Sequence, residues 1–142
     1  MKILITGASG QLGKALISEA PKSFEIIKPD RKLLDLSDPN SCYSFVIENK
    51  PDWIINSGAY TNVDQAELEK EISFKINADA PLAFAKALKE VGGKILQIST
   101  DYVFSGENNQ PHTPDFEKSP INVYGLSKSL AEDRLEKELF KN

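Results

Sequence analysis

One cysteine, one histidine, one tryptophan and one methionine occur among 142 residues. With Cys42 alone, an internal disulfide is excluded. With His112 in a proline-flanked loop, there is no second histidine or cysteine at the spacing a transition-metal site uses, so no metal is expected. Eight glycines and eight prolines are too few for a low-complexity or collagen-like chain. No apolar run approaches the roughly 18 residues of a membrane-spanning helix, so a membrane partner is excluded. A basic excess is also missing: 17 Lys and Arg face 21 Asp and Glu, a net charge of -4, which argues against nucleic acid as a partner. No charged leader with an apolar core opens the sequence, and the single cysteine agrees with a cytoplasmic location. The length and the 40% apolar content suit one compact domain covering residues 1–142.

What is present is an alternation of short apolar runs and amphipathic stretches. Ile3, Leu4 and Ile5 stand in succession within residues 2–6, the pattern of a parallel strand covered on both faces. Residues 7–10 break the run. Leu12, Ala15 and Leu16 then fall on one helical face, in a helix ending near Pro21. Residues 24–28 read as a second strand and residues 33–36 as a short extended piece. Asp38-Pro39 reads as an N-cap with proline at the first helical position. The helix it opens runs to about residue 49 and turns Cys42, Phe45 and Val46 inward. Residues 52–56 form another strand, with Trp53 packing at its start. A long helical region follows over 64–91, with Phe84, Ala85, Leu88 and Val91 in one stripe, a kink or break expected at Pro81, and a stop at Gly92-Gly93. Residues 94–99 give a further strand. A loop with Gly106, Pro111, Pro114 and Pro120 leads to a last helix over 122–140. Strands alternating with helices imply parallel pairing by right-handed crossovers, hence an α/β fold with a doubly wound parallel sheet.

Gly7, Gly10 and Gly13 are spaced by three and three between the first strand and the first helix. Glycine lets the chain turn sharply and lets a pyrophosphate approach the backbone, while the helix N-terminus offers free N–H groups and partial positive charge. A tight turn with no ligand would need the same residues, but the strand before and the helix after supply the context that dinucleotide binding requires. At the end of the second strand stand Lys28-Pro29-Asp30-Arg31. A carboxylate there suits a ribose 2′-hydroxyl and a guanidinium suits a 2′-phosphate, so NADPH and NADH both stay open. Asp35 and Leu36 are candidates beside the adenine.

Tyr124 and Lys128 lie four residues apart on the last helix and share a face. A neighbouring ammonium favours the phenolate and makes a tyrosine a better general acid or base. The same spacing also describes an ordinary surface pair. The preceding strand, however, ends in Ser99-Thr100, at the edge where doubly wound sheets bind ligands, so a hydroxyl there can polarise the oxygen that Tyr124 protonates.

Gly7-x-x-Gly10-x-x-Gly13, Thr100 and Tyr124-x-x-x-Lys128 together resemble the extended short-chain dehydrogenase/reductase superfamily. Asn56-Ser57-Gly58-Ala59-Tyr60-Thr61-Asn62-Val63-Asp64, Ser99-Thr100-Asp101-Tyr102-Val103-Phe104-Ser105-Gly106 and Tyr124-Gly125-Leu126-Ser127-Lys128 narrow the resemblance to the dTDP-4-dehydrorhamnose reductase family. The resemblance implies a Rossmann-like domain and reduction of the 4-keto group of a dTDP-linked 6-deoxysugar by NADPH or NADH, in dTDP-rhamnose biosynthesis. It makes Tyr124 the proton donor, Thr100 the hydroxyl that orients the ketone, and Lys128 the group that holds the nicotinamide ribose and tunes Tyr124. It places Gly7, Gly10, Gln11, Leu12 and Gly13 on the pyrophosphate. Ser57, Gly58, Ala59 and Tyr60 fall under the cofactor, with Asn77 in the same wall. Nucleotide-sugar 4,6-dehydratases resemble the same Ser-Thr-Asp segment but carry a glutamate where this chain has Tyr102, which favours ketone reduction over dehydration. Asp101 is open between contacting substrate and capping the loop.

The resemblance spans only the N-terminal half of the family. The last strands and the small domain that grips the nucleotide-sugar are lacking, which predicts an unpaired strand edge at residues 95–98 and a homo-oligomer. Two alternatives stand beside the reductase: a non-catalytic dinucleotide-binding regulatory subunit, and a nucleotide-sugar epimerase that recycles tightly held NAD.

Overall fold

The computed structural model describes residues 1–107 and 109–140. Four parallel strands form one sheet: β1 (Lys2–Thr6), β2 (Glu25–Ile27), β3 (Trp53–Asn56) and β4 (Lys94–Gln97), in the order β2-β1-β3-β4. The register aligns Leu4 with Ile27 and with Ile54, and Ile54 with Ile95, so one apolar row crosses all four strands on one face. The neighbouring row, Ile5, Ile55 and Leu96, points to the opposite face.

The first face is closed by two helices, α2 (Pro39–Asn49) and α5 (Ala80–Val91). Asp38 caps α2 by accepting from the backbone N–H groups of Asn40 (3.0 Å) and Ser41 (3.3 Å), with Pro39 behind it as the sequence predicts. Helix α5 stops at Gly92, whose φ of +85° is a left-handed cap. Cys42 and Val46 of α2 meet Ala80, Ala83, Phe84, Ala87 and Leu88 of α5 over Leu4 and Ile54. The alanines let the two helices approach the sheet closely around Phe84, whose burial contributes about 2–3 kcal/mol. Phe45 packs against this cluster from its margin.

The segment 33–36 is not extended. It joins two turns, one ending at Leu33 and one opening at Leu36, because Asp30 draws the backbone N–H groups of Lys32 and Leu33 onto its carboxylate while Leu34 drops into the core. The 64–91 region is not one helix either. It divides into α3 (Val63–Leu68), α4 (Lys70–Phe74), a π turn (Lys75–Asp79) and α5, with the chain leaving helical geometry at Glu69 (φ -113°, ψ 47°) rather than at Pro81. Pro81 is the second residue of α5, which runs on from the π turn, and the wider winding ahead of it, marked by the bond from the Ala80 N–H to the Lys75 carbonyl, accommodates a residue with no N–H to give.

Right-handed crossover connections place α1 (Gln11–Glu19) on the second face. There Gly13 is the one fully buried residue of the helix, Leu12 and Ala15 are exposed, and Leu16 is half-buried. The predicted apolar stripe of α1 exists but no second helix among the described residues covers it, and Leu96 on β4 is 48% exposed for the same reason. Among the described residues β4 ends the sheet with an unpaired edge. The last helix, α6 (Val123–Phe140), packs against α5 and against a 3-10 turn at Asp101–Val103. No helix among the described residues is long and apolar enough to cross a membrane.

Candidate active site

The carboxyl ends of β1 and β3 are joined almost backbone to backbone. Gly7, at φ +64°, turns the chain so sharply that a Cβ there would lie 2.7 Å from the Gly58 nitrogen. A Cβ on Gly13 would lie 2.3 Å from the Gly7 carbonyl oxygen. Gly10 differs, for the one atom near its missing Cβ is the Gly7 oxygen at 3.2 Å. The first and third glycines therefore serve the turn and the helix–strand contact, and the second leaves open space over the start of α1, the division of labour a pyrophosphate cradle needs. Thr6 fixes the two loops: its hydroxyl donates to Asn56 Oδ1 (2.5 Å) and accepts from the Gly58 N–H (3.0 Å), while its carbonyl accepts from the Ser57 hydroxyl (2.6 Å).

These loops floor an open groove of about 1300 Å³. Gly7, Gly10, Gln11, Leu12, Gly13, Asp30, Arg31, Asp35, Leu36, Ser57, Gly58, Ala59 and Tyr60 all line it. So do Lys14, Ile72 and Ile76, which the sequence reading passed over. The two isoleucines follow helical spacing and carry no signal that separates a groove wall from a core face.

Thr100, Tyr124 and Lys128 do not line the groove. They gather at a corner where the chain leaving β4 crosses the first turns of α6. Thr100 caps the 3-10 turn, its hydroxyl oxygen accepting from the Tyr102 N–H at 3.3 Å. Tyr102 stands edge-on to Tyr124, ring centroids 5.5 Å apart. Gly125 makes the crossing possible, since a Cβ there would be 2.1 Å from the Tyr102 carbonyl oxygen. Lys128 is buried and donates from Nζ to the Ile98 carbonyl at 2.5 Å. Burial pushes its ammonium down to about 8, with Glu132 one turn further on pulling the other way. Glu132 also accepts from the Ser99 hydroxyl, and Asn122 caps α6 by accepting from the Gly125 N–H at 2.7 Å.

Asn77 connects the corner to the groove. Placed by the π turn and 1% exposed, it lies behind the groove wall rather than in it. Its Oδ1 accepts from the Tyr60 N–H (2.8 Å) and its Nδ2 donates both to the Tyr60 carbonyl (3.0 Å) and to the Ser127 hydroxyl (2.9 Å). Ser127 lies between Tyr124 and Lys128 and donates to the Tyr124 carbonyl at 2.7 Å. One amide thus ties the groove wall at Tyr60 to the helical turn that spaces the tyrosine from the lysine.

A glycine turn feeding a helix at the carboxyl ends of a parallel sheet defines a Rossmann-like α/β domain. The chain belongs to the RmlD substrate binding domain family, whose model matches residues 1–141. It is similar to a dTDP-4-dehydrorhamnose reductase of Burkholderia thailandensis, 39% identical over 93% of this chain and 44% of that protein. Among solved structures it resembles the Clostridium acetobutylicum dTDP-4-dehydrorhamnose reductase (42% identity, TM-score 0.91, 96% of this chain and 49% of that one). It also resembles the Bacillus anthracis enzyme in complex with NADP (40% identity, TM-score 0.90, again 96% and 49%). The chain spans about half the length of these relatives.

Proposed function

We propose that this chain, residues 1–142, is the NAD(P)-binding half of an NADPH- or NADH-dependent reductase that converts dTDP-4-dehydrorhamnose to dTDP-rhamnose. What supports the reading above all is the link through Asn77, which couples a dinucleotide-shaped groove to a helix carrying Tyr124 and Lys128. When bound, the nicotinamide supplies the hydride to the sugar's C4. The Tyr124 hydroxyl donates a proton to the carbonyl oxygen as charge develops there, giving the alcohol, and the Thr100 hydroxyl donates a second hydrogen bond that orients the ketone. The Lys128 ammonium, one helical turn from Tyr124, holds the nicotinamide ribose and supplies the positive charge that eases the loss of the Tyr124 proton. A nucleotide-sugar is the partner in this reading and the cytoplasm its location. A second copy of the chain is the protein partner, supported by the open edge of β4 and the half-exposed Leu96.

Titration with NADPH and NADH, followed by addition of the keto sugar nucleotide, tests this. Dinucleotide binding with oxidation on sugar addition is expected, with Tyr124→Phe abolishing oxidation and leaving binding intact. Failure of both dinucleotides to bind would overturn the reading. Binding without oxidation would instead support a second reading, a non-catalytic dinucleotide-binding subunit.

A further inference from the structure

Lys128 and Glu132 lie four residues apart on α6 and grip consecutive residues of the chain leaving β4. The Lys128 ammonium donates to the Ile98 carbonyl at 2.5 Å, and the Glu132 carboxylate accepts at Oε1 from the Ser99 hydroxyl. The second oxygen of Glu132 lies 3.4 Å from Nζ of Lys118, in the loop that leads into α6, and the same ammonium also reaches Asp133. Both oxygens of Glu132 are therefore held, and among the described residues no ion pair joins it to Lys128. The carboxylate presents negative charge to the buried ammonium without taking any of its three donors, of which one goes to Ile98.

A buried ammonium needs such a charge. Burial pushes Lys128 down to about 8, and Glu132 is the charge that opposes it. From the elements packed against α6, other charged groups are engaged elsewhere. Glu67 of α3 accepts from the Val123 N–H, and Glu71 of α4 pairs with Lys75 of the π turn. Asp79 takes Arg134, Asp101 of the 3-10 turn accepts from the Thr100 hydroxyl, and Lys89 of α5 holds Glu138. We propose that Glu132, braced by Ser99 and Lys118, is a positioning residue for Lys128: it holds the turn of α6 that carries the ammonium against the end of β4 and supplies its counter-charge. What this does for turnover rests on the reductase reading, in which Lys128 acts as a cation.

An NMR titration of the chain, labelled with carbon-13 at lysine Cε, from about pH 6 to 11, tests it. The resonance missing from Lys128→Met identifies Lys128. Glu132→Gln keeps an oxygen for the Ser99 hydroxyl but loses the charge, and should lower the Lys128 midpoint by about one pH unit. Lys118→Met removes the cation that competes for Glu132 and should raise it. Both positions are half-buried, so both variants should fold. A rise in both variants would mean that the two residues only hold the packing, since a loosened site admits water to the ammonium, and would overturn the proposal. An unchanged midpoint in Glu132→Gln would overturn it as well. The titration uses no dinucleotide, so its result is independent of whether NADPH or NADH binds. Where the chain oxidises NADPH with the keto sugar nucleotide, the alkaline limb of the rate should move down in Glu132→Gln together with the midpoint. A limb that stays while the midpoint moves would leave the counter-charge standing and overturn the role given to Lys128 in the reaction.

Discussion

At the β1–α1 turn the site takes its shape from side chains that are missing, with backbone packed against residues 7 and 13 where no Cβ fits. At the first turns of α6 it takes its shape from buried polar side chains, Asn77, Ser127 and Lys128, whose every bond must be made. The first region tolerates no added atom, and the second no lost partner. Steric exclusion makes a rigid floor that any ligand with a slim, charged backbone can use. A buried polar network fixes the position of particular reacting groups. On the function proposed above, the floor would serve a class of molecule and the corner a reaction.

Gly13→Val would break the first region most severely. A Cβ 2.3 Å from the Gly7 oxygen meets backbone, which cannot swing aside. A loss above about 4 kcal/mol is expected, together with loss of dinucleotide binding, read by urea unfolding and by titration. Asn77→Leu probes the second region. It leaves the half-buried N–H and carbonyl of Tyr60 without their partner, at about 1–3 kcal/mol each, so a destabilisation of about 3 kcal/mol is expected. Because Gly7 and Gly13 keep their contacts in that variant, residual dinucleotide binding should survive it, which would sharpen the contrast.

The last effect is confined to a pH window. Lys128 has a folded pKa of about 8 against the ordinary 10.5, so between these values the unfolded chain binds more protons than the folded one. Stability contributed by this residue should rise with pH across that window, by up to about 3 kcal/mol, and be flat below it. Lys128→Met should lack the rise. Subtracting its unfolding free energies from those of the unmodified chain, at several pH values, isolates the effect.

Much of the first region was legible because it is local. Three glycines at fixed spacing, an apolar run before and a helical stripe after are all contained in residues 2–16. The strands, the Asp38-Pro39 cap and the Gly92 stop were readable on the same grounds. The segment 33–36 was misread as extended because Leu33, Leu34 and Leu36 satisfy a strand's composition, while the turn depends on the Asp30 carboxylate reaching forward. The division of 64–91 at Glu69 leaves no mark in the sequence, whereas Pro81, the conspicuous breaker, fits the first turn of α5. Asn77 was visible as a residue but not as a bridge, since its partners Tyr60 and Ser127 lie 17 and 50 positions away.

The π turn holds one residue more than an α-helical turn would, and Asn77 sits at its middle. Removing a single codon there would restore regular winding and rotate everything ahead of it by about 100° relative to α5. The amide could then no longer reach Tyr60 and Ser127 together. The tie between the groove wall and the helix carrying Tyr124 and Lys128 thus hangs on one extra residue of winding.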